Sequence, residues 1–244
     1  MVMRKLRREI RARFRLLTAG GRFQPTVLMY HSVGRNAAHF NVTPEAFVRQ
    51  LAFLKSGGFD VVSLDECVHR ARAGETGKLV ALTFDDGYAD FVEEAWPALK
   101  SFGFPAAVFL ITGSMGGTYT TSTGVAIPLM TWDAASRLNA EGVVFGSHTV
   151  THAKLDKLSP DEVKKQLVDS RAMLRERLGL EKTYVCYPRG RNSPSVRAAA
   201  KDAGYLGALT IEAGHPGPNT DIFGIPRPYV HSEMGMKEFE ALFV

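Results

Sequence analysis

Short apolar runs alternate with amphipathic segments over most of the chain. The runs at 26–30 ("TVLMY"), 79–84 ("LVALTF") and 106–111 ("AAVFLI") have the length of buried strands. The amphipathic segments at 43–58 and 159–179 begin with Thr or Ser followed by Pro, which is a typical helix start. This alternation recurs about seven times and predicts an α/β fold with parallel strands joined by helical crossovers.

Two further segments bear on the edge of the sheet and on a loop near the expected site. The strand pattern favours closure into a barrel over an open sheet, although the pattern alone does not decide between them. We expect "PRPYV" (226–230) to end the sheet at an edge, because prolines cannot donate ladder hydrogen bonds. Segment 112–124 is rich in Gly, Ser and Thr and is expected to be a mobile loop beside a substrate groove.

The N-terminal segment, residues 1–22, has an amphipathic pattern of its own. Met3, Leu6, Ile10, Phe14 and Leu17 recur at intervals of 3, 4, 4 and 3 residues, which places them on one stripe of a helix. Arginines occupy much of the remaining surface. A helix of this kind lies on an anionic membrane surface, docks on its own domain or another subunit, or stays disordered, and the sequence leaves these alternatives open.

Charge is concentrated in the same segment. Residues 1–22 hold eight basic residues and one acid, so they carry +7, whereas the whole chain carries +5. The remaining 222 residues therefore carry −2. A main domain, residues 23–244, with this balance does not favour nucleic-acid binding.

Composition also suggests a compartment. No apolar run approaches the ~20 residues needed to span a bilayer, and no apolar core of a signal peptide follows the basic N-terminus. We therefore expect a cytoplasmic protein, with peripheral contact at the inner membrane face through residues 1–22 as one alternative. In a reducing compartment Cys67 and Cys186 are expected to be free thiols.

Side chains that can bind metals or move protons follow several predicted strands. His31 follows the first strand, Asp85 and Asp86 follow "LVALTF", and His148 follows "VVFGS", with His152 four residues later. Taken singly, such residues are more often parts of turns or packed histidines. Because the carboxyl ends of parallel barrel strands share one rim, we expect these side chains to converge there.

Two histidines and one carboxylate form a three-ligand site with open positions, the pattern of a hydrolytic Zn²⁺ centre, which also accepts Co²⁺, Ni²⁺ or Fe²⁺. The spacing of His148 and His152 fits a helical turn, but the Thr-Val-Thr between them also permits a tight turn. Thr149 stands where a zinc protease of the H-E-x-x-H type has Glu, so that chemistry is excluded. A neighbouring carboxylate is then the candidate base, and His31 the candidate acid.

The motifs "TFDDG" (83–87) and "SHTVTH" (147–152) resemble the two leading motifs of the polysaccharide deacetylase family, carbohydrate esterase family 4. Further stretches resemble its poly-N-acetylglucosamine deacetylase branch, among them "LMYHSVG" (28–34), "CYPRG" (186–190) and "TDIFGIPRPYV" (220–230). The resemblance covers about residues 26–230, which is nearly all of the chain outside the N-terminal segment.

The resemblance implies a distorted (β/α)₇ barrel in a single domain. It implies that Asp86, His148 and His152 bind the metal and that Asp85 is the general base. In the poly-N-acetylglucosamine branch the histidine of the early "YH" motif acts as general acid, a role that falls to His31 here.

The "YPRG" turn resembles the family turn whose backbone N–H holds the oxyanion, which assigns that role to Arg189. Tyr187, Pro188 and Trp132 are candidates for substrate binding, because aromatic faces stack on sugar rings. The family often has an arginine where this chain has Cys186, and Arg227 is a candidate to orient Asp85 instead.

These expectations combine into one function. We expect a metal-dependent hydrolase that removes N-acetyl groups from an N-acetylated sugar in a glycan, an oligosaccharide or a lipid-linked precursor. A hydrolase or deformylase that acts on another amide is the first alternative. A catalytically inactive sugar-binding or interaction module is the second.

Overall fold

The framework of the protein is a parallel sheet covered by helices. The computed structural model describes residues 2–20 and 22–244, with side chains from residue 7 onward, so the side chains of Met3 and Leu6 lie outside the description. The helices are α1 (Val2–Thr18), α2 (Pro44–Ser56), α3 (Leu64–Arg72), α4 (Trp96–Phe102), α5 (Trp132–Ala140), α6 (Pro160–Leu178), α7 (Pro194–Asp202) and α8 (Met236–Glu240). The strands are β1 (Thr26–Tyr30), β2 (Asp60–Val61), β3 (Leu79–Phe84), β4 (Ala107–Leu110), β5 (Thr118–Thr120), β6 (Ala126–Pro128), β7 (Val144–Ser147), β8 (Val185–Cys186) and β9 (Ala208–Leu209).

The main sheet runs in the order β1-β3-β4-β7-β8-β9, with β2 paired to the start of β3, and every pair is parallel. Tyr30 at the end of β1 pairs with Phe84 at the end of β3, and Leu110 of β4 pairs with Ser147 of β7. The residues that follow these strands therefore lie at the same level. The predicted α/β fold and the distorted (β/α) barrel are confirmed.

The segment 225–230 closes this barrel, so the prediction that it forms a sheet edge is wrong. Ile225 bridges to Leu209 of β9, and Tyr229 bridges to Met29 of β1. Val230 donates its N–H to the Met29 carbonyl, while the Pro228 carbonyl accepts from the Met29 N–H, at 3.0 Å each. The prolines are tolerated between two strands because Pro228 acts only as an acceptor and its neighbour supplies the N–H.

Both faces of β1, β3 and β4 are buried, and their residues alternate between two apolar clusters. In β3, Ala81 packs with Phe109 inside the barrel, whereas Leu82 and Phe84 pack against the surrounding helices. Burial on both faces is typical of parallel sheets covered by helices. Within the described ranges, no helix is long and apolar enough to cross a membrane.

Most predicted helices begin and end where expected. Thr43 caps α2 by accepting from the Ala46 N–H, and Ser159 and Glu162 form a capping box at the start of α6. The helical segment after β3 begins as one π-helical turn, Phe91–Ala95, and continues as α4. The predicted free thiols of Cys67 and Cys186 are both buried and unpaired.

The polar segment 112–124 is more ordered than its composition predicts. It contributes β5, which pairs with β6 in an antiparallel hairpin and brings Tyr119 opposite Ile127. Ile127 is buried beside Tyr88 and Leu129, and Tyr119 packs against the same cluster. This small apolar cluster holds the hairpin in place, a contact that the Gly, Ser and Thr content of the segment does not reveal.

The loop after β1 is held by a buried polar network around Ser32. The Ser32 hydroxyl lies 2.9 Å from Asn41 Oδ1 and also contacts Asp90, while Asn36 Nδ2 donates to it at 2.7 Å. The Asn41 amide is oriented by its own donation to the Gly34 carbonyl. The hydroxyl has one proton for two acceptors and can donate it to Asp90, because Asn36 Nδ2 also lies 3.3 Å from Asn41 Oδ1 and can serve the second acceptor.

This network predicts a pH-dependent stability difference between the wild type and Asp90→Asn. Burial raises the pKa of Asp90 to about 6, above its unfolded value of 3.8. The contribution of Asp90 to stability is therefore full below about pH 4 and is lost as the pH rises through 6. In urea unfolding at pH 5 and pH 8, we expect the wild type to lose about 1–2 kcal/mol relative to Asp90→Asn, which has no titrating group at this position. Parallel profiles for the two proteins would contradict a protonated Asp90.

Candidate active site

Six of the residues singled out in the sequence lie around one cavity of about 170 Å³ at the carboxyl ends of the strands. They are His31, Asp85, Asp86, His148, His152 and Arg189. Four strand ends supply them, since β1, β3, β7 and β8 all finish at this rim. The parallel topology is therefore what gathers residues that are distant in sequence.

The cavity contains a group of atoms suited to bind a cation. Asp86 Oδ1 lies 3.3 Å from His148 Nε2 and 3.5 Å from His152 Nε2, and it has no hydrogen-bond partner among the described residues. The other oxygen of Asp86 accepts from the Tyr88 hydroxyl at 2.8 Å. One carboxylate oxygen and two imidazole nitrogens therefore meet in a buried space.

Hydrogen bonding determines which nitrogen of His148 faces this space. His148 Nδ1 lies 2.8 Å from the Cys186 carbonyl oxygen, which can only accept, so Nδ1 carries the proton. Burial and the neighbouring His148 lower the pKa of His152 to about 4, which keeps that imidazole neutral. Burial alone would lower the pKa of His148, but neighbouring groups that include Asp86 raise it. The buried Asp86 Oδ1 thus draws positive charge toward the two Nε2 atoms, and a divalent metal would supply that charge in place of a proton.

The segment 148–152 is a tight turn, which decides between the two alternatives that its spacing allowed. Thr149 and His152 have positive φ angles of 66° and 58°, so the segment is not helical. Gln166 on α6 accepts hydrogen bonds from the N–H groups of Val150 and Thr151, at 3.1 and 3.0 Å. Helix α6 thus holds the turn that presents both imidazoles, a role that sequence reasoning missed.

The glycine of the "TFDDG" motif permits the sharp turn after Asp86. Asp86 and Gly87 have φ angles of 70° and 75°, and a Cβ on Gly87 would lie 2.6 Å from the side chain of Leu110. Any other residue at position 87 would clash with β4 and strain the backbone. Because of this turn, the side chains of Asp85 and Asp86 contact different groups.

Asp85 is paired with Arg227 in the interior. The two guanidinium NH groups donate to the two carboxylate oxygens at 2.9 and 2.8 Å, and both side chains are almost completely buried. Arg227 also donates to Thr83 Oγ1 and to the Thr210 carbonyl. Burial alone would raise the pKa of Asp85, but the charge and hydrogen bonds of Arg227 lower it to about 2, so the carboxylate is ionised at neutral pH.

His31 lies between aromatic rings on the opposite wall. Its ring centroid is 5.3 Å from that of Phe40 and 5.5 Å from that of Tyr229. Its Nδ1 atom is buried without a hydrogen-bond partner in residues 22–244 and the described part of α1. Burial lowers the pKa of His31.

Arg189 lines the same cavity. It has a positive φ of 57°, and within the described chain its N–H donates to no carbonyl or side chain. The Cys186 carbonyl, three residues earlier, is already engaged by His148. The N–H of Arg189 is therefore available to a ligand.

Three predicted substrate-binding residues do not line the cavity described here. Tyr187 is fully buried and donates its hydroxyl to the Phe223 carbonyl at 3.1 Å, and Pro188 is buried beside it. Successive strand residues point to opposite faces, so Tyr187 faces the helices when Cys186 faces the interior. Trp132 is half-buried at the start of α5 and packs against the helix-side core.

Other residues line the cavity instead of Tyr187, Pro188 and Trp132. Phe40, Tyr119 and Ile211 form apolar walls of the cavity, and Thr121, Ser122 and His39 add polar groups. Tyr119, Thr121 and Ser122 come from the hairpin region, for which the sequence predicts only a loop. The only indication in the sequence that these residues line the site is the expectation that segment 112–124 forms a loop at a substrate groove.

A second, larger cleft lies next to the cavity. It has a volume of about 760 Å³, is open to solvent, and runs along Gly190–Asn192 and Glu212. Its charged groups are mostly paired with each other, as in the ion pair between Arg197 and Asp221. The smaller cavity, which holds the Asp and His side chains, is therefore the candidate active site.

Several known proteins are similar to this chain in sequence or in structure. YxkH of Bacillus subtilis is 26% identical over 217 residues, which cover 88% of this chain and 74% of that protein. The poly-beta-1,6-N-acetyl-D-glucosamine N-deacetylase of Staphylococcus aureus is 24% identical over 84% of this chain and 73% of its own. A solved structure of the Streptococcus pyogenes deacetylase PplD, in complex with acetate, is similar with a TM-score of 0.78 and 27% identity, over 91% of this chain and 98% of that one.

The model of the polysaccharide deacetylase family matches residues 72–208, which include the paired aspartates, both histidines of the turn and Arg189. The match spans more than half of the chain, and the solved relative covers the barrel on both sides of it. The chain therefore belongs to the polysaccharide deacetylase family.

Proposed function

We propose that this protein is a metal-dependent hydrolase that removes acetyl groups from the N-acetylated sugar units of a polymer. The observation that carries the proposal is the convergence of Asp86, His148 and His152 beside the ionised Asp85. The name of the Staphylococcus relative supports a poly-N-acetylglucosamine as the substrate class. The acetate in the Streptococcus structure supports acetyl removal.

Asp86, His148 and His152 would hold the metal through one oxygen and two Nε2 atoms. A divalent ion at this position supplies Lewis-acid polarisation of the acetamide carbonyl and lowers the pKa of water. Two imidazoles and one carboxylate with open positions suit Zn²⁺, and Co²⁺, Ni²⁺ or Fe²⁺ are compatible with the same donors.

Asp85 is the general base in this proposal. Its low pKa keeps it ionised, and Arg227 fixes the plane of the carboxylate by binding both oxygens. Oδ2 also accepts from the Cys186 thiol at 3.3 Å, so the second lone pair of Oδ1 is the one that can accept the proton of the attacking water. Arg227 acts as a positioning residue, since it touches Asp85 and not the cavity.

Arg189 and His31 serve the later part of the reaction. The unengaged N–H of Arg189 donates to the oxyanion that forms when water adds to the carbonyl. His31 then gives a proton to the departing sugar nitrogen, so that a neutral amine leaves. Its buried position, which lowers the pKa of its imidazole, makes the protonated form a stronger acid toward that nitrogen.

The surroundings of the site suit a sugar chain. Phe40 and Tyr119 offer aromatic faces for the apolar side of a sugar ring, and Thr121 and Ser122 offer hydroxyls for its polar edge. The adjacent open cleft begins at Gly190 and Glu212, next to the cavity residues Arg189 and Ile211. Neighbouring units of a polymer would extend into this cleft.

We expect purified protein with added Zn²⁺ or Co²⁺ to release acetate from N-acetylglucosamine oligomers. A chelator should stop the release, and Asp85→Asn should slow it by roughly 10²- to 10⁴-fold, because the base is lost. Asp161→Asn, an exposed position on α6, is the matched control and should keep full activity. Release that survives both the chelator and Asp85→Asn would overturn the proposal.

Metal affinity provides a test that does not depend on activity. By calorimetric titration of chelator-treated protein with Zn²⁺, Tyr88→Phe should weaken binding about 10- to 100-fold, because Asp86 loses its hydrogen bond. His152→Gln should weaken binding further, since a ligand is lost. His69→Gln, an exposed histidine on α3, is the control. Equal affinities for all four proteins would rule out this metal site.

The Asp85–Arg227 pair predicts a large cost for removing one partner. Arg227→Met should lower the unfolding free energy by about 3–5 kcal/mol, because it leaves the buried Asp85 carboxylate unpaired. Arg227→Met made in the Asp85→Asn background should lower the unfolding free energy by less, because no unpaired carboxylate remains. A double-mutant cycle from urea unfolding measures the difference. Arg35→Met, which breaks an exposed pair with Glu45, should leave the unfolding midpoint nearly unchanged. A loss no greater than that of Arg35→Met would contradict the buried pair.

A further inference from the structure

We propose that one exposed face of α1 binds an anionic lipid surface. The face consists of Ile10, Phe14 and Leu17, which we call the apolar stripe. It is distinct from the active-site cavity and plays no part in the hydrolysis proposed above.

The opposite face of α1 holds the helix on the domain. Arg8 forms ion pairs with Glu233 at 2.6 Å and with Glu238 at 3.4 Å. Ala12 is buried where α1 packs on α8 and on the 3₁₀ turn Ala241–Phe243. The helix therefore docks on its own domain, which is one of the alternatives that the sequence left open, but Ile10, Phe14 and Leu17 of the predicted stripe take no part in the docking.

The apolar stripe is left facing solvent. Ile10, Phe14 and Leu17 are 57%, 67% and 81% exposed, more than any other large apolar side chain described. Successive residues of an α-helix are about 100° apart, so these three side chains share one face. A contiguous apolar row of this kind marks a surface that contacts another phase or molecule.

Arginines border the stripe on both sides. Arg7 and Arg13 lie about 60° to either side of Ile10 on the helix, and Arg11 lies beyond Arg7. All three are exposed, and none forms an ion pair with the described residues. Apolar side chains flanked by unpaired arginines are the pattern of a helix that lies in a lipid interface with its cations at the phosphates.

Charge complementarity favours lipid over a second copy of the chain. Residues 1–22 carry +7, so two such helices placed face to face would bring like charges together. An anionic bilayer offers phosphates to the arginines and an apolar layer to the stripe.

The docked helix is linked to the rim of the active site. Arg8 binds Glu233, and the adjacent Ser232 donates its N–H and its hydroxyl to the His39 carbonyl, at 3.2 and 2.9 Å. His39 lines the active-site cavity. Lipid binding by α1 would therefore hold the cavity close to the membrane surface.

The test is co-sedimentation of the full chain with phosphatidylcholine vesicles that contain phosphatidylglycerol, and with vesicles of phosphatidylcholine alone. We expect binding to the anionic vesicles that weakens with added salt, because exposed charges are screened. The triple variant Ile10→Ser/Phe14→Ser/Leu17→Ser should bind at least about tenfold more weakly. Val48→Ser/Val168→Ser, two exposed valines on α2 and α6, is the matched control and should bind as the wild type does.

Two further measurements separate the outcomes. Phe14→Trp should shift its fluorescence to shorter wavelength with anionic vesicles, and the triple variant should release acetate at the wild-type rate without vesicles. No vesicle binding by the wild type, equal binding by the triple variant, or no shift for Phe14→Trp would overturn the proposal. Self-association of the wild type that the triple variant abolishes, without vesicle binding, would overturn it in favour of an interface between copies.

Discussion

The buried ion pair between Asp85 and Arg227 joins the chemistry of this protein to the closure of its barrel. Asp85 directly follows β3, and Arg227 lies in the segment that spans the gap between β9 and β1. A buried carboxylate and a buried guanidinium are each costly alone, so each requires the other in place. The pair therefore anchors the closing segment and keeps Asp85 ionised.

The candidate metal site also depends on the compensation of a buried charge. Asp86 Oδ1 and the two Nε2 atoms form a buried group of electron-pair donors that needs a cation. Their positions come from parts of the chain with no chemical role, namely Tyr88, the Cys186 carbonyl and Gln166 on α6. Such supporting contacts determine how well a metal site of three ligands is preorganised.

Three surfaces of the molecule bear on the proposed binding of a polymer: the cavity, the adjacent cleft and one face of α1. The cavity is small and bordered by aromatic rings, while the adjacent cleft is large, polar and open. Helix α1 adds a third surface, apolar and basic, which is tied to the rim through Glu233 and Ser232. The cleft is the basis for the proposed extended substrate, and α1 is the basis for the proposed contact with an anionic surface.

The sequence by itself determined the order of strands and helices, their caps, and the residues that gather at the rim, because periodicity and capping are local properties. Tertiary structure alone decided that 225–230 closes the barrel, that Tyr187 and Trp132 pack away from the cavity, and that α1 docks by the face opposite its apolar stripe. Strands buried on both faces show no alternation that marks the barrel interior, so the sequence cannot say which side chains face it. For the same reason an apolar stripe shows that a helix has two faces, but the partner that covers each face depends on long-range packing.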